Sequence, residues 1–278
     1  MKNILFIVLI YITFSSYCYA SNGSLAAKGD LFFFGQGVEK NISKASSFYK
    51  KAKEAGEAIN PFQDGVILLI EDVSFINNAF LPRNPIKALG LFKLAEIKGI
   101  KGARWGISSS YDHIANDLLK KSDYQGAFKV YEQSYLEGSA NQTAIYTLAK
   151  LYHKGQGTVS NIPKAVELYL ESDWVSSKSQ LKSIIKTVSK NLKNKDQILS
   201  ITILESFLMA VQKHPNKHNY QDLHDGVSIM LANILFSHKG QINEVLLIQS
   251  LKNVKTSQLK GTSVKLIQYM KNNNNSLK

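Results

Sequence analysis

The spacing of apolar residues along the chain predicts a series of helices. Small and aromatic side chains recur at Ala45, Phe48, Tyr49 and Ala52, and this three-and-four spacing places them on one face of a helix. No segment shows the alternation with period two that marks a half-buried strand, so we predict an all-α protein. Two further stripes in the C-terminal half are Leu181, Ile184, Ile185, Val188 and Leu192, and Ile198, Ile201, Leu204, Leu208 and Val211.

One stretch of this pattern occurs twice, at a constant offset of 120 residues. In each copy a helix ends in Gly-Gln-Gly, because glycine reaches the positive φ that ends a helix and lets the chain reverse. A second helix then follows, and its predicted N-cap is Asn41 or Ser43 in the first copy and Asn161 or Ser160 in the second. The matching pairs are Leu31/Leu151, Gly35/Gly155, Gly37/Gly157, Asn41/Asn161, Lys44/Lys164, Ala45/Ala165 and Tyr49/Tyr169.

The second-helix half also recurs between these two copies. Ala88 and Ala127 stand where Ala45 and Ala165 stand in the complete copies, at spacings of 43, 39 and 38 residues. Such spacings are typical of repeats built from two helices. The two middle copies lack the Gly-x-Gly turn that marks the end of the first helix, so the sequence does not show where their first helices end.

These residues resemble the Sel-one-like repeat (SLR), a relative of the tetratricopeptide repeat. The resemblance covers residues 24 to 172 and implies a right-handed α-solenoid of stacked antiparallel helix pairs, with the first helices lining the inner curve. It also implies binding of a protein or peptide partner, because members of the family serve as adaptors in envelope regulation, polysaccharide export and host contact. The matching features are the helix before the turn, Gly-x-Gly, Lys-Ala with an aromatic, and an Ala-x-x-Gly ending.

The first twenty residues have the pattern of a secretory signal peptide. Lys2 precedes an apolar run from Ile4 to Phe14, which is short for a membrane span, and Ala20 offers a cleavage site before Ser21. Two alternatives are a lipid anchor on Cys18 and an uncleaved anchor. We therefore expect an exported protein, periplasmic or secreted, that keeps no stable membrane span after cleavage. The predicted division is a signal peptide at 1–20, SLR helical repeats at 21–172 and a basic helical repeat-like region at 173–278.

The positive charge of the chain is concentrated in the last region. The whole chain carries a formal charge of +13, and residues 173–278 hold fifteen basic and six acidic side chains. Like charges four residues apart weaken a helix by a few tenths of a kcal/mol, so a row of lysines at that spacing does not serve helix stability. The row, called here the lysine ridge, consists of Lys178, Lys182, Lys186 and Lys190.

Two interpretations of the lysine ridge stay open. It is either an ordinary solvated helix face or a contact for an anionic protein, polysaccharide or lipid surface. Nucleic acid is disfavoured because Arg83 and Arg104 are the only arginines, and arginine is the preferred residue for bidentate contacts to bases and phosphates.

The sequence shows no recognisable catalytic or metal site. No nucleophile elbow, phosphate loop or His-Glu-x-x-His is present. The loosely spaced group His214, His218, Asp222, His224 and Asp225 is predicted to lie in a solvated loop rather than to bind zinc. We predict a protein that is not an enzyme and has no cofactor, with a hydrolase as the remote alternative.

The tyrosines supply the remaining candidates for binding. We expect Phe48, Tyr49, Phe92, Tyr131 and Tyr169 to lie in the core because they occupy repeat positions. The candidates for an exposed inner wall are Tyr111, Tyr124, Tyr135, Tyr146 and Tyr152. From these sets, the predicted binding residues are Tyr111, Tyr124, Tyr152, Lys178, Lys182, Lys186 and Lys190.

The preferred functional hypothesis is an exported scaffold that mediates protein–protein interaction. The alternative from another class is a binder of an anionic envelope polymer that uses the lysine-rich C-terminal half.

Overall fold

The structure is a computed structural model that describes residues 24–70, 83–174, 176–191, 197–237, 244–255 and 257–273. These residues form thirteen α-helices and a short 3₁₀ helix, Lys217–Tyr220, and they contain no strand. The all-α prediction is therefore confirmed. The predicted signal peptide, with Cys18, lies outside the described residues.

The helices are numbered here in chain order. They are α1 Leu25–Phe34, α2 Ile42–Glu54, α3 Pro61–Leu69, α4 Pro85–Ile97, α5 Ala103–Lys120, α6 Tyr124–Leu136, α7 Gln142–Lys154, α8 Ile162–Ser172, α9 Ser177–Asn191, α10 Gln197–Lys213, α11 Gln221–Ser237, α12 Glu244–Lys252 and α13 Ser257–Asn273. No helix in the described ranges has both the length and the apolar character needed to cross a membrane.

The chain divides into two compact units, Met1–Asp117 and Leu118–Lys278. The division falls near the end of α5. The predicted boundary between residues 172 and 173 separates the SLR repeats from the basic C-terminal region, and it stays a prediction.

The two Gly-Gln-Gly turns have the same geometry in both copies. Gly35 and Gly155 follow α1 and α7 in the left-handed conformation, with φ of 68° and 65°. The side chain of Asn41 accepts a hydrogen bond from the Lys44 backbone N–H at 2.8 Å, and Asn161 accepts the matching bond from Lys164 at 3.0 Å. Of the predicted N-caps, asparagine is thus the one used in both copies.

In the first unit α1 packs on α2, and α3 packs on α4. The core between them is aromatic: the Phe33 and Phe62 ring centroids lie 4.8 Å apart, and those of Phe62 and Phe92 lie 5.8 Å apart. Phe92 is fully buried because Gly65 and Gly106 leave room for its ring, and a Cβ at either glycine would collide with that ring. Glycine at these two positions therefore lets the helices approach the ring closely.

In the second unit α7 packs on α8, and α8 also contacts α9 and α10. Helices α10 to α13 continue the packing through contacts between successive helices. Leu181, Leu204 and Phe207 are fully buried at these contacts. The C-terminal region is therefore helical and well packed, as the apolar stripes predicted.

Two details of the predicted pattern are wrong. Ile198 is 65% exposed because the buried face of α10 also includes Ile203 and Phe207, which turns it away from Ile198. Phe48 is half-buried rather than fully buried, whereas Tyr49, Phe92, Tyr131 and Tyr169 are in the core as predicted.

Candidate binding surfaces

Tyr111 lies in the interior of the first unit. Its side chain is 5% exposed, and its hydroxyl accepts a hydrogen bond from the Lys93 ammonium group at 3.1 Å. Ala115 and Ser110 on the same helix are fully buried too, so this face of α5 packs inward. The exposed position predicted for Tyr111 is wrong.

Tyr152 is half-buried on α7 and is held in place by two neighbours. Its hydroxyl donates a hydrogen bond to the Glu132 carboxylate at 2.7 Å, and its ring meets Phe128 edge to face at 5.0 Å. Burial first, and then the hydrogen bond to Glu132, raise the pKa of Tyr152 to about 12. The side chain is thus neutral at physiological pH and oriented by its contacts with α6.

The other predicted wall tyrosines also lie in the second unit. Tyr135 donates a hydrogen bond to the Glu171 carboxylate at 2.7 Å, and Tyr146 packs against Tyr169 at 5.6 Å. Tyr124 is 38% exposed at the first turn of α6. Whether Tyr124 and Tyr152 bind a partner stays a prediction.

The lysine ridge lies on α9, opposite that helix's buried face. Leu181, Ile184 and Val188 are buried, whereas Lys182, Lys186 and Lys190 are exposed and Lys178 is half-buried. Within the described part of the chain, none of the four ammonium groups forms an ion pair with a carboxylate. The ridge is therefore a row of positive charges that the described neighbours leave uncompensated.

The histidines do not form a common site. His224 is 4% exposed on α11, where its Nδ1 atom lies 3.3 Å from the carboxylate of Asp225, so its predicted place in a solvated loop is wrong. His214 packs edge to face on Tyr220 at 5.4 Å, and His218 is exposed. No three His, Cys, Asp or Glu side chains among the described residues are grouped closely enough to hold a metal ion.

A further surface was not predicted from the sequence: the solvent side of α4. Ile86 is 71% exposed, Leu94 is 40% exposed and Ile97 is 83% exposed. With the exposed Gly90 they follow the spacing of four, four and three residues, which keeps them on one side of the helix. We call these four residues the α4 face.

The α4 face differs from the same positions in the neighbouring second helices. With Ala45 aligned on Ala88, the equivalents of Ile86, Gly90, Leu94 and Ile97 on α2 are Ser43, Ser47, Lys51 and Glu54. With Ala127 aligned on Ala88, the equivalents on α6 are Gln125, Lys129, Gln133 and Leu136. The solvent side of a second helix is therefore polar in α2 and largely polar in α6, and apolar in α4. This comparison of offsets is the sequence signal that could have identified the surface.

The α4 face has a basic border. Lys87 and Lys98 are exposed beside its two ends, and Lys93 lies within hydrogen-bonding distance of Tyr111. On the far side Glu96 accepts a hydrogen bond from Arg104 at 3.0 Å, so its charge is already paired. An apolar surface with a basic border favours a partner that presents apolar side chains and nearby carboxylates.

Three segments of the chain match a known family model. The family model of the Sel1 repeat matches residues 24–57, 79–99 and 142–172. No curated protein sequence matches the chain.

Similar solved structures are also helical-repeat proteins. One is a protective antigen present in uropathogenic Escherichia coli strains that displays an SLR fold, at 16% identity and a TM-score of 0.35, over 92% of this chain and 58% of that one. Another is a Sel1 repeat protein from Oxalobacter formigenes, at 17% identity and a TM-score of 0.31, over 84% of this chain and 85% of that one. The chain thus spans less than two thirds of the length of the E. coli antigen.

Proposed function

The chain carries Sel1 repeats at residues 24–57, 79–99 and 142–172, and from this premise we propose that it is an exported scaffold that binds a protein partner through the α4 face. Repeats of this kind are typical of scaffolds that mediate protein interaction. We favour the α4 face over the other surfaces for two reasons. It lies within a repeat that the family model matches, and it is apolar where the equivalent positions on α2 and α6 are mostly polar.

Apolar side chains exposed to water are unfavourable in free energy, and binding of a partner that buries them is therefore favourable. Fully burying one isoleucine or leucine is worth about 1.5–3 kcal/mol. In protein interfaces a few residues supply most of the binding free energy. Ile86, Leu94 and Ile97 are numerous enough and apolar enough to be such residues. The expected partner has an apolar surface and carboxylates placed to meet Lys87 and Lys98.

Export is supported by the signal-peptide pattern of residues 1–20, and the start of α1 is compatible with their removal. Ser24 caps α1, and the Glu57 carboxylate accepts hydrogen bonds from the backbone N–H groups of Leu25 and Ala26 at 2.9 and 3.1 Å. The start of α1 therefore has its capping partners without residues 1–20. Mass spectrometry of the protein isolated from its host should find Ser21 at the N-terminus. A chain recovered from the cytosol with residues 1–20 attached would contradict export.

The binding proposal is tested by replacing the three apolar side chains of the α4 face with the residues at the equivalent positions of α2. The variant is Ile86→Ser, Leu94→Lys and Ile97→Glu, which leaves the net charge unchanged. All three side chains are exposed, so we expect the variant to fold like the parent, as judged by circular dichroism. The tagged mature protein is used to capture partners from the periplasm and the culture medium.

The matched control is Leu136→Glu, because Leu136 is 72% exposed at the position of α6 that corresponds to Ile97. We expect a partner that the parent and the control capture and that the three-residue variant loses. Equal capture by the three-residue variant would contradict the role of the α4 face. The absence of any partner in both fractions would contradict the scaffold function itself.

A second function is favoured by the lysine ridge: binding of an anionic envelope polymer. Four ammonium groups one helical turn apart attract a chain of negative charges, and this attraction weakens as salt rises. Replacing all four lysines by glutamine should reduce retention on an anionic glycan column. Unchanged retention would exclude this function.

A further inference from the structure

A cleft at one end of the lysine ridge has the composition of a sugar-binding site. It has a volume of about 420 Å³, and the turn after α8, helix α9 and the 3₁₀ helix contribute to its lining. Trp174 is 38% exposed in its wall, and Lys178 belongs both to the cleft and to the lysine ridge. The lining residues of this Trp174 cleft are Asp173, Trp174, Lys178, His218, Asn219 and Tyr220.

The cleft is held in shape by Asp173. Its carboxylate accepts hydrogen bonds from the Tyr220 hydroxyl at 3.0 Å and from the Asn216 side-chain amide at 2.9 Å. The backbone of Asp173 has a φ of 42°, a left-handed conformation that few residues other than glycine adopt. The strained turn at the end of α8 is thus tied to the 3₁₀ helix, and Trp174 follows directly after it.

Because both oxygens of Asp173 already accept internal hydrogen bonds, its negative charge is partly satisfied inside the wall. The other groups that line the cleft are the exposed side chains of Trp174, His218 and Asn219 and the half-buried side chain of Lys178. A flat aromatic face beside hydrogen-bonding groups suits the apolar side of a pyranose ring, and the nearby cation suits a carboxylate on that ring.

We propose that the Trp174 cleft binds an acidic sugar, a uronate unit, of an anionic polysaccharide whose adjacent units run along the lysine ridge. This inference rests on the second function proposed above. Lys178, Lys182, Lys186 and Lys190 are separated by about 6 Å of helix rise each, a distance of the same order as one pyranose unit. In this arrangement the cleft binds one uronate unit specifically. The ridge attracts the other negative charges of the polymer, and this attraction weakens as the salt concentration rises.

An acidic peptide is the competing occupant. Its carboxylates would pair with the lysines, but an extended polyglutamate chain has no ring to cover Trp174. The two ligands therefore differ at the indole ring, and its fluorescence reports which of them enters the cleft.

The experiment titrates the mature full-length protein with oligogalacturonate, with the neutral galactose oligomer and with polyglutamate. Fluorescence is recorded for the parent and for Trp174→Phe, and the difference between them isolates Trp174 from Trp105. We expect a fluorescence change with oligogalacturonate only. We also expect Trp174→Ala to weaken oligogalacturonate binding about tenfold while leaving polyglutamate binding unchanged.

Two further variants separate the cleft from the ridge. Lys182→Gln with Lys186→Gln should lower the salt dependence of binding but keep the fluorescence change. Asn219→Ala, which changes the cleft but not the ridge, should weaken the binding of oligogalacturonate and leave its salt dependence unchanged, and this variant tests the cleft if Trp174→Ala does not fold. Lys178→Gln, which belongs to both surfaces, should weaken the binding of oligogalacturonate and also lower its salt dependence. An exposed lysine of α13, Lys265→Gln, is the matched control and should change nothing.

Binding that Trp174→Ala and Asn219→Ala leave intact, but that the ridge variant abolishes, would overturn the cleft while keeping the polymer function. An equal fluorescence change with polyglutamate would overturn the choice of a sugar. No binding of any polyanion would overturn both the cleft and the second function, and would leave the proposal for the α4 face untouched.

Discussion

At the scale of single residues, the two copies of the Gly-Gln-Gly turn show how neighbours change the role of a repeated residue. Gly37 and Gly157 occupy the same repeat position with φ of 72° and 78°. A Cβ at Gly37 would meet no atom within 4 Å, whereas a Cβ at Gly157 would collide with the backbone carbonyl group of Tyr124. The first glycine is needed only for its backbone conformation, and the second also for its missing side chain.

Alanine at these two glycines should therefore destabilise the protein unequally. Gly37→Ala should cost about 1 kcal/mol, since it adds only the penalty of a left-handed residue. Gly157→Ala should cost about 3 kcal/mol, because α6 must also move away from the turn. Urea unfolding followed by circular dichroism measures both changes, and equal losses would show that the turn does not pack on α6.

A buried histidine predicts the pH dependence of the second unit. Burial lowers the pKa of His224 below its usual value of 6.5, and this effect outweighs the opposing influence of Asp225. The unfolded chain therefore binds the proton more readily than the folded chain. The stability that His224 contributes is present above pH 6.5 and is lost as the pH falls below it.

The free energy of unfolding should accordingly decrease between pH 7.5 and pH 5.5, and His224→Gln should make this decrease smaller. Burial also lowers the pKa of His153, so the variant should retain part of the slope. An unchanged slope in His224→Gln would show that His224 is accessible to protons in the folded protein.

At the scale of helices, the lysine ridge forms a continuous positive surface and destabilises α9, because like charges four residues apart repel each other. Glutamate at position 182 would face Lys178 and Lys186 at spacings of four residues. Two favourable pairs would then replace two repulsive ones, and each pair is worth about 0.2–0.5 kcal/mol.

Lys182→Glu should consequently raise the stability of the protein by about 1 kcal/mol at low salt and weaken retention on an anionic glycan column. Thermal unfolding and column retention are measured on the same preparation, with Lys265→Glu on α13 as the control. Greater stability with unchanged retention would favour the interpretation of the ridge as a solvated face.

The sequence predicted those features of the helices that depend on local chemistry. The capping asparagines Asn41 and Asn161 and the left-handed glycines Gly35 and Gly155 each act within a few residues of their own position, so a repeat in the sequence was enough to place them. This explains why the helix pairs and their turns were predicted correctly.

The errors concern positions where a distant neighbour decides burial. Tyr111 is buried because a whole face of α5 packs inward, and His224 is buried within the helical packing of the second unit. The α4 face was missed because Ile86, Leu94 and Ile97 look like core residues in a helix whose apolar side chains are spread around its circumference. Only comparison with equivalent positions on α2 and α6 shows that they point to solvent.

At the scale of the whole molecule, the two helical units present different surfaces. The first unit presents an apolar face on one repeat, which suits a protein partner. The second presents a positive ridge and an aromatic cleft, which suit an anionic chain. The α4 face would bind by apolar contacts, and the lysine ridge and Trp174 cleft by charge and aromatic contacts. Substitutions in the α4 face should therefore leave polymer binding unchanged, and substitutions in the ridge or cleft should leave protein binding unchanged.

The most direct test of the protein-binding claim is photocrosslinking in the native host from a single position on α4. A photoreactive phenylalanine derivative replaces Ile97 in one strain and Glu54, the equivalent residue of α2, in another. If the α4 face binds a protein, position 97 should form a discrete protein adduct in the exported fraction, and position 54 should form none. Adducts of equal yield from both positions, or none from position 97, would contradict protein binding by the α4 face.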